Sequence, residues 1–232
     1  MNAKTMRKAS AAFAIAIAIT SIATAQDQGR AVRIGLKVAP NLSFLKTNDK
    51  IITQDGSSLG FNFGLMTDFM MGKNQNYAFA TGLYFMPKLG MNYKRTETHP
   101  DSVILRTGSA RMQMVQIPLT IKLKTNEIGY MTYYGQIGAE TAFNVGAKDN
   151  YTQVTEEPGS TVSVEVKDEK FNDQAAIFRA ALLVGAGFEY NFNTNTSAMV
   201  GITYSNGFTN AFDKDFGDSK LHYLELSLGM FF

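Results

Sequence analysis

The sequence contains no cysteine and no tryptophan, and it has only two histidines. Without cysteine the chain has no disulfide framework and no cysteine to carry a lipid anchor. With so few histidines and no thiols it has almost no ligands for a transition metal, so we expect neither a metal nor a cofactor. The net charge is only +2, and no block of five or more like charges occurs, so nothing in the sequence indicates a nucleic-acid-binding surface.

Apolar runs long enough for a membrane helix are missing after the N-terminal segment. That segment has basic residues, an apolar run at residues 9–22 and a small-residue triplet that contains Ala23 and Ala25. This order is typical of a cleaved secretory signal peptide, and the run is too short to cross a hydrocarbon core of about 30 Å. The sequence therefore predicts a signal peptide at residues 1–25 and a single domain at residues 26–232.

The chain is instead rich in period-two alternation. From Val32 to Phe44 every second residue is apolar, and the residues between them are polar or small. Period two indicates a strand, and this length fits a tilted transmembrane strand better than a strand of a soluble protein. Recurrence of the pattern predicts eight strands, near residues 32–44, 61–69, 77–90, 114–122, 133–145, 178–190, 200–205 and 223–230.

The connections between these strands alternate in length. Short ones are predicted at residues 71–76, 124–130 and 191–196, and long polar ones at residues 45–58, 94–110, 148–174 and 209–220. Short turns on one rim and long loops on the other are typical of outer-membrane barrels, with the short turns and both termini on the periplasmic side. In the longest connection, Pro158 and Gly159 lie between β-rich runs, which predicts a hairpin that prolongs the fifth and sixth strands.

The apolar face of the strands is predicted to point outward. The opposite face consists mainly of Gly, Ala, Ser and Asn with a few charges, which suits the narrow interior of an eight-stranded barrel. Aromatic residues gather toward both strand ends, as in the interfacial girdles of membrane proteins. The predicted fold class is therefore all-β: a single eight-stranded antiparallel up-and-down transmembrane β-barrel.

Charged residues on the inward face are predicted to form pairs, because a buried charge is costly unless it is paired. By position on adjacent strands, the predicted pairs are Arg33 with Asp68, Glu140 with Arg179, and Lys37 with Glu225. They would form either a structural plug or a gated polar path for small solutes. The plug is favoured, because an eight-stranded barrel is just wide enough for side chains to fill it.

The last predicted strand alternates Leu228, Met230 and Phe232 on its lipid face and closes on an aromatic residue. This arrangement resembles the signal read by the barrel-assembly machinery of Gram-negative bacteria. We therefore expect that machinery as a partner during biogenesis.

Two predicted loops invite a catalytic or calcium-binding interpretation. His99, Asp101 and Ser102 lie too close together to adopt the geometry of nucleophile, base and orienting acid. The aspartates at 213, 215 and 218 miss the EF-hand spacing because Gly217 stands where a ligand should be. We therefore predict no catalytic residue and no metal ligand.

Several short motifs resemble the PorT-type outer-membrane β-barrel family of Bacteroidota. They are GLK at 35–37, NLS at 41–43, QIPL at 116–119, GAGFEY at 185–190 and YSNGFTN at 204–210. The resemblance covers nearly all of the chain after residue 25, and it implies a barrel in the outer membrane, in contact with its lipids and lipopolysaccharide. One member of that family assists a secretion system, so a role accessory to protein secretion is an implied expectation.

The leading hypothesis is a non-enzymatic barrel whose long loops, or whose periplasmic rim, bind an envelope or secretion-system protein. A small-solute pore and a membrane-embedded lipid-modifying enzyme are the alternatives, since at least one type of eight-stranded barrel is an acyltransferase.

Overall fold

The computed structural model describes residues 31–47, 51–72, 74–170, 172, 175–212 and 219–232. The predicted signal peptide, with Ala23 and Ala25, and the aspartates at 213, 215 and 218 lie outside the described residues. The strands are β1 (Val32–Thr47), β2 (Ile52–Gln54), β3 (Ser58–Met71), β4 (Tyr77–His99), β5 (Ser102–Lys124), β6 (Met131–Glu157), β7 (Ser160–Lys170), β8 (Phe178–Asn191), β9 (Ser197–Gly207) and β10 (Ser219–Phe231). Within the described residues, no helix has the length and hydropathy needed to cross a bilayer.

Eight of these strands close into a ring. Hydrogen-bonded neighbours follow the order β4, β3, β1, β10, β9, β8, β6 and β5, and β5 pairs back with β4. Every pairing in the ring is antiparallel. Each of the eight strands pairs with the ring strand that comes next in the sequence, and β1 pairs with β10 to close the ring. The predicted eight-stranded antiparallel up-and-down barrel is confirmed.

Side chains alternate between the inside and the outside of the ring. On β10, Leu224, Leu226 and Leu228 are 42–45% exposed, whereas Glu225 and Ser227 between them are buried. The same alternation on the other strands leaves a belt of large exposed apolar side chains around the barrel, among them Leu36, Val38, Phe63, Leu65, Leu83, Leu119, Ile121, Ile137, Val184 and Ile202. The predicted inversion, with the apolar face outside and the polar face inside, is confirmed.

Aromatic pairs lie near both ends of this belt. Toward the short turns, the rings of Phe69 and Phe79 are 6.3 Å apart. Toward the long connections, Phe143 and Phe178 are 5.5 Å apart. Aromatic side chains at two levels of the outer surface match the interfacial girdles that are typical of membrane barrels.

The barrel interior is packed with side chains. Toward the short turns, Tyr134 projects inward over β8 and β9, where a Cβ at Gly187 or Gly201 would overlap its hydroxyl group. Toward the long connections, a larger apolar cluster of buried residues includes Met86, Leu89, Met91, Met112 and Tyr223. An internal cavity of about 40 Å³ lies beside Lys37 and Tyr84, and it has room for only a few water molecules.

Two of the predicted long connections contain regular hairpins, one that the sequence predicts and one that it does not. The segment 94–110 is not a loop, because β4 and β5 continue to a tight turn between His99 and Ser102. The hairpin predicted at Pro158 and Gly159 is present, with Gly159 at φ +91°. However, β7 pairs with β6 and is separated from β8, so the hairpin prolongs the fifth barrel strand and not the sixth.

Two side-chain directions on the third barrel strand differ from the prediction. Period-two alternation along residues 77–90 predicts Leu89 outside and Lys88 inside, but Leu89 is 1% exposed and lies in the interior cluster, and Lys88 is exposed. A register shift between Met86 and Leu89 places one more residue on β4 than on β5. This bulge reverses the alternation beyond it, which period-two reasoning along a single strand does not detect.

Beyond the apolar belt, a sheet projects from one end of the barrel. Its strands are ordered β2, β4, β5, β6 and β7, with β2 and β7 at the edges. The strand β6 runs opposite β7 from Lys148 to Glu157, which corresponds to roughly 30 Å along the strand. The barrel therefore carries a protruding sheet, which we define as these five strands above the belt.

Candidate functional site

The middle of the lumen contains a carboxylate and a guanidinium group that form an ion pair. Arg179 Nη1 donates to Glu140 Oε1, and Tyr223 Oη donates to Glu140 Oε2 at 2.5 Å. Arg179 also donates to Ser205 Oγ at 2.8 Å and to the Leu221 carbonyl oxygen at 3.0 Å. Both charges are buried, and the structure brings this predicted pair together.

A second buried pair links β1 to β10 across the closure of the ring. Lys37 Nζ lies 2.7 Å from Glu225 Oε1, as the sequence predicts for these two residues. Asn62 Nδ2 donates to Glu225 Oε2 at 2.7 Å, and Ser227 Oγ donates to Glu225 Oε1 at 2.8 Å. The Lys37 ammonium group also lies 4.1 Å from the centre of the Tyr84 ring. Every polar partner here belongs to the lumen wall, which is typical of a structural plug.

A third group of charges lies toward the short turns, and we call it the rim cluster. Glu189 accepts from Arg33 and from Lys124, each at 2.7 Å. Asp68 accepts from Lys122 at 2.7 Å, and Lys122 is 3.9 Å from Glu189. The rim cluster therefore joins residues of β1, β3, β5 and β8.

The predicted pair between Arg33 and Asp68 is wrong. Their Cα atoms are opposite each other on β1 and β3, but Arg33 pairs with Glu189 and Asp68 pairs with Lys122. In a narrow barrel, long side chains reach across the lumen to strands that are not their neighbours. The order of neighbouring strands therefore does not predict the ion pairs formed by Lys122, Lys124 and Glu189, although all three residues are at inward positions near strand ends.

The residues of the predicted assembly signal lie on the outer surface. Leu228 and Met230 belong to β10, Phe232 follows it directly, and all three side chains are exposed. They continue the apolar belt toward the short-turn rim. Their reading by an assembly machinery stays a prediction.

Buried and half-buried hydrogen bonds connect polar groups at the base of the protruding sheet. Tyr93 Oη donates to Asp149, and burial raises the pKa of both groups above their ordinary values. Arg106 lies 4.0 Å from the centre of the Tyr151 ring and donates to Gln153 Oε1 at 2.9 Å. These side-chain contacts join β4, β5 and β6 where the protruding sheet continues from the barrel wall.

The outer edge of the protruding sheet is formed by β7. Among the described residues, β7 pairs with β6 alone, and nearly all its side chains are exposed. Val162 and Val164 share one face of the strand and are at least half exposed. The half of the strand from Ser160 to Val164 carries no charge, whereas the remainder contains five charged residues.

The residues considered for hydrolysis lie at the tip of the β4–β5 hairpin. His99 is opposite Ser102 and is 3.9 Å from Glu97, and both His99 and Asp101 are exposed. An exposed turn holds no fixed nucleophile and base. Within the part of the chain that the structure describes, no group of three or more metal-ligating side chains is found.

Comparison with known proteins gives one family match and several structural likenesses. The family model of the outer membrane protein beta-barrel domain matches residues 24–176. Neisserial surface protein A is 12% identical, with 87% of this chain and 96% of that chain covered and a TM-score of 0.42. OprG of Pseudomonas aeruginosa is 11% identical, with 87% and 94% covered and a TM-score of 0.41, and Ail of Yersinia pestis is 16% identical, with 89% and 100% covered and a TM-score of 0.33. No curated protein matches the chain.

Proposed function

The chain belongs to the outer membrane protein beta-barrel domain family, and we propose that it is a protein-binding barrel of the outer membrane that recognises its partner through the protruding sheet. An outer-membrane location follows from the family. The binding role, the partner and the orientation are the proposal. In the proposed orientation the short turns face the periplasm and the protruding sheet faces outward.

The filled lumen supports binding over conduction. The two ion pairs of Glu140 with Arg179 and of Lys37 with Glu225 occupy the interior at successive depths, together with the apolar cluster above them. The internal cavity of about 40 Å³ beside Lys37 and Glu225 is far smaller than a solute path through the barrel would need. A protein of this build offers its surfaces, rather than its interior, to other molecules.

The single observation that carries the proposal is the edge of β7. An edge strand presents unpaired N–H and C=O groups to any extended chain of a second protein, a mode of recognition called β-augmentation. Charged side chains normally protect such edges, and the segment from Ser160 to Val164 lacks them. Two exposed valines on one face, Val162 and Val164, would add side-chain contacts with a partner strand.

Lysines at both valines are expected to abolish partner capture without disturbing the barrel. The variant Val162→Lys/Val164→Lys replaces the two valines, whose side chains would contact those of a partner strand on the same face of the sheet, with charged side chains. The measurement is crosslinking in intact cells, followed by affinity capture of the tagged protein from detergent-solubilised outer membranes. Proteins captured by the wild type and lost from this variant are the candidates.

The matched control is Thr161→Lys/Ser163→Lys, which adds the same two charges on the opposite face of the same strand. We expect this control to retain the partner. Equal capture by the valine variant and the wild type would contradict recognition through β7.

Export and assembly complete the proposal. We propose that residues 1–25 are removed as a signal peptide, and that Leu228, Met230 and Phe232 are read by the barrel-assembly machinery. The apolar belt would then contact outer-membrane lipids and lipopolysaccharide. The PorT-type resemblance supports a secretion-system component as the partner, and crosslinking through β7 is the experiment that identifies it.

A further inference from the structure

The wall formed by β5, β6 and β7 carries a row of three cations on its outer face. Arg111 on β5 is directly opposite Lys148 on β6, and Lys148 is directly opposite Lys170 on β7. Neighbouring strands are about 4.8 Å apart, so the three residues span roughly 10 Å across the wall. We call Arg111, Lys148 and Lys170 the cation row.

The cation row lies directly above the apolar belt. On β6, Phe143 and Val145 are exposed at the end of the belt, and Lys148 is the next outward side chain. Ala147 and Asp149, on either side of Lys148, are buried, so the lysine points away from the lumen. In a membrane barrel, the level just beyond the apolar belt is the level of the lipid headgroups. The position of the row therefore places it against a headgroup.

One carboxylate contacts the cation row. Asp168 Oδ1 accepts from Arg111 Nη2 and lies 3.6 Å from Lys148 Nζ. The side chains of Arg111 and Lys148 remain 38% and 51% exposed, and exposed ion pairs of this kind are weak. A guanidinium group has five N–H donors and an ammonium group has three, so one carboxylate oxygen does not use up the donors of the row.

A phosphate group matches this row. Like charges that are directly opposite on neighbouring strands repel each other, and an anion bound across them would reduce the repulsion. Phosphate has several strong acceptor oxygens, so it can accept from two or three cations at once. Arginine in particular binds phosphate through two parallel hydrogen bonds. The chemistry of the row and its depth therefore both indicate the phosphate group of a membrane lipid.

A polar groove of about 320 Å³ opens on the same face, immediately above the row. Its first level is formed by Asn92, Ser109 and Asn150, which are opposite one another on β4, β5 and β6, and its second level includes Thr107 and Thr152. The first level lies two residues, or about 7 Å, beyond the cation row along β5 and β6. The charged residues of the lining are Asp55, Glu165 and Lys167. Hydroxyl and amide groups both donate and accept, which suits the hydroxyl groups of a sugar.

We propose that this wall binds a phosphorylated glycolipid of the outer leaflet, with its acyl chains on the apolar belt, its phosphate group on the cation row and its sugar in the groove. The three surfaces follow one another on one face in the order in which such a lipid presents these parts to the membrane and to water. The inference rests on the outward orientation in the proposed function. It does not require partner capture through β7, because Val162 and Val164 pair with Thr155 and Gln153 on the other face of the sheet.

The test measures lipid binding to the protein in detergent micelles by native mass spectrometry. The probe is lipid A, the phosphorylated glycolipid that anchors lipopolysaccharide, and the control ligands are dephosphorylated lipid A and phosphatidylglycerol. Lipid A should bind at least about tenfold more tightly than its dephosphorylated form, since hydrogen bonds to charged groups contribute that much. Equal binding of these two would overturn the role of the cation row. Equal binding of lipid A and phosphatidylglycerol would overturn the assignment to a glycolipid.

Removing two members of the row tests whether it is a defined site. Lys148→Gln/Lys170→Gln should weaken lipid A binding roughly twenty-five-fold, because each lysine near an anionic headgroup contributes about fivefold. The matched control is Lys46→Gln/Lys220→Gln, which removes two exposed lysines that are directly opposite each other on β1 and β10. This control should retain the binding. Equal losses in the two variants would mean general electrostatic attraction to the barrel surface and would contradict the proposal.

A change in the groove tests the place of the sugar. Ser109→Leu removes a hydroxyl group and fills part of the groove, so it should lower the affinity for lipid A about fivefold and leave that for phosphatidylglycerol unchanged. Circular dichroism and heat-dependent gel mobility establish that each variant is folded. Unchanged lipid A affinity in folded Ser109→Leu would show that the sugar does not lie in the groove. The Val162→Lys/Val164→Lys variant should bind lipid A as the wild type does, and this separates failure here from failure of partner capture.

Discussion

Replacing Glu140 with alanine is expected to destabilise the barrel by about 3–5 kcal/mol, because it leaves the Arg179 guanidinium group buried without its counter-charge. Arg179 would keep its bonds to Ser205 and to the Leu221 carbonyl oxygen, but neither partner is charged. Tyr223 would also lose the acceptor of its 2.5 Å hydrogen bond. Urea-dependent unfolding of the protein in phospholipid vesicles measures this loss.

The double variant Glu140→Ala/Arg179→Met supplies the control. It removes both charges and fills part of the space with an apolar side chain, so it should recover much of the stability that Glu140→Ala loses. The two sites are in direct contact, so their effects should be strongly non-additive. Losses that simply add would show that Glu140 and Arg179 do not stabilise each other, and that the lumen plug is described wrongly.

The substitution Val184→Lys is expected to lower the free energy of unfolding by about 2–4 kcal/mol, which is the cost of a cation on the lipid face of a barrel near the bilayer midplane. Val184 is midway along β8, points outward and is 45% exposed. On a surface that faced water, a lysine here would change stability very little. Unfolding in vesicles again gives the measurement.

Val164 on β7 is the matched control for this substitution. It is the same residue type with a similar exposed fraction, 50%, but it belongs to the protruding sheet and not to the apolar belt. Val164→Lys should leave the unfolding free energy of the barrel nearly unchanged. Equal effects at the two positions would mean that the belt around Val184 is not in contact with lipid.

The barrel wall could be predicted from the sequence because each membrane-facing strand obeys one rule. Inside the belt, lipid requires apolar side chains outside, and the narrow lumen requires small or paired polar side chains inside, so the alternation is strong. Val184 and Leu226 follow this rule. Above the belt both faces of a strand meet water, so the alternation weakens. For this reason the pattern does not predict the extension of β4 and β5 to the turn at His99.

The lumen contacts could be predicted only in part. Glu140 with Arg179 and Lys37 with Glu225 are short-range pairs between adjacent strands, so the strand order was enough to suggest them. Arg33 reaches Glu189 across the interior, a choice that depends on side-chain length and on the space left by other residues. A one-dimensional pattern contains neither quantity, and the bulge that turns Leu89 inward is hidden for the same reason.

Site-directed spin labelling along β8 tests the central claim most directly, namely that the apolar face of this closed barrel contacts lipid and that the lumen is filled. The chain has no cysteine, so each introduced cysteine is the only labelling site. In vesicles, labels at 182, 184 and 186 should be accessible to oxygen and not to a water-soluble nickel relaxation agent. Labels at 181 and 183 should be poorly accessible to both. Nickel access at 182, 184 and 186, with the same period of two, would contradict the account, because that face would then meet water.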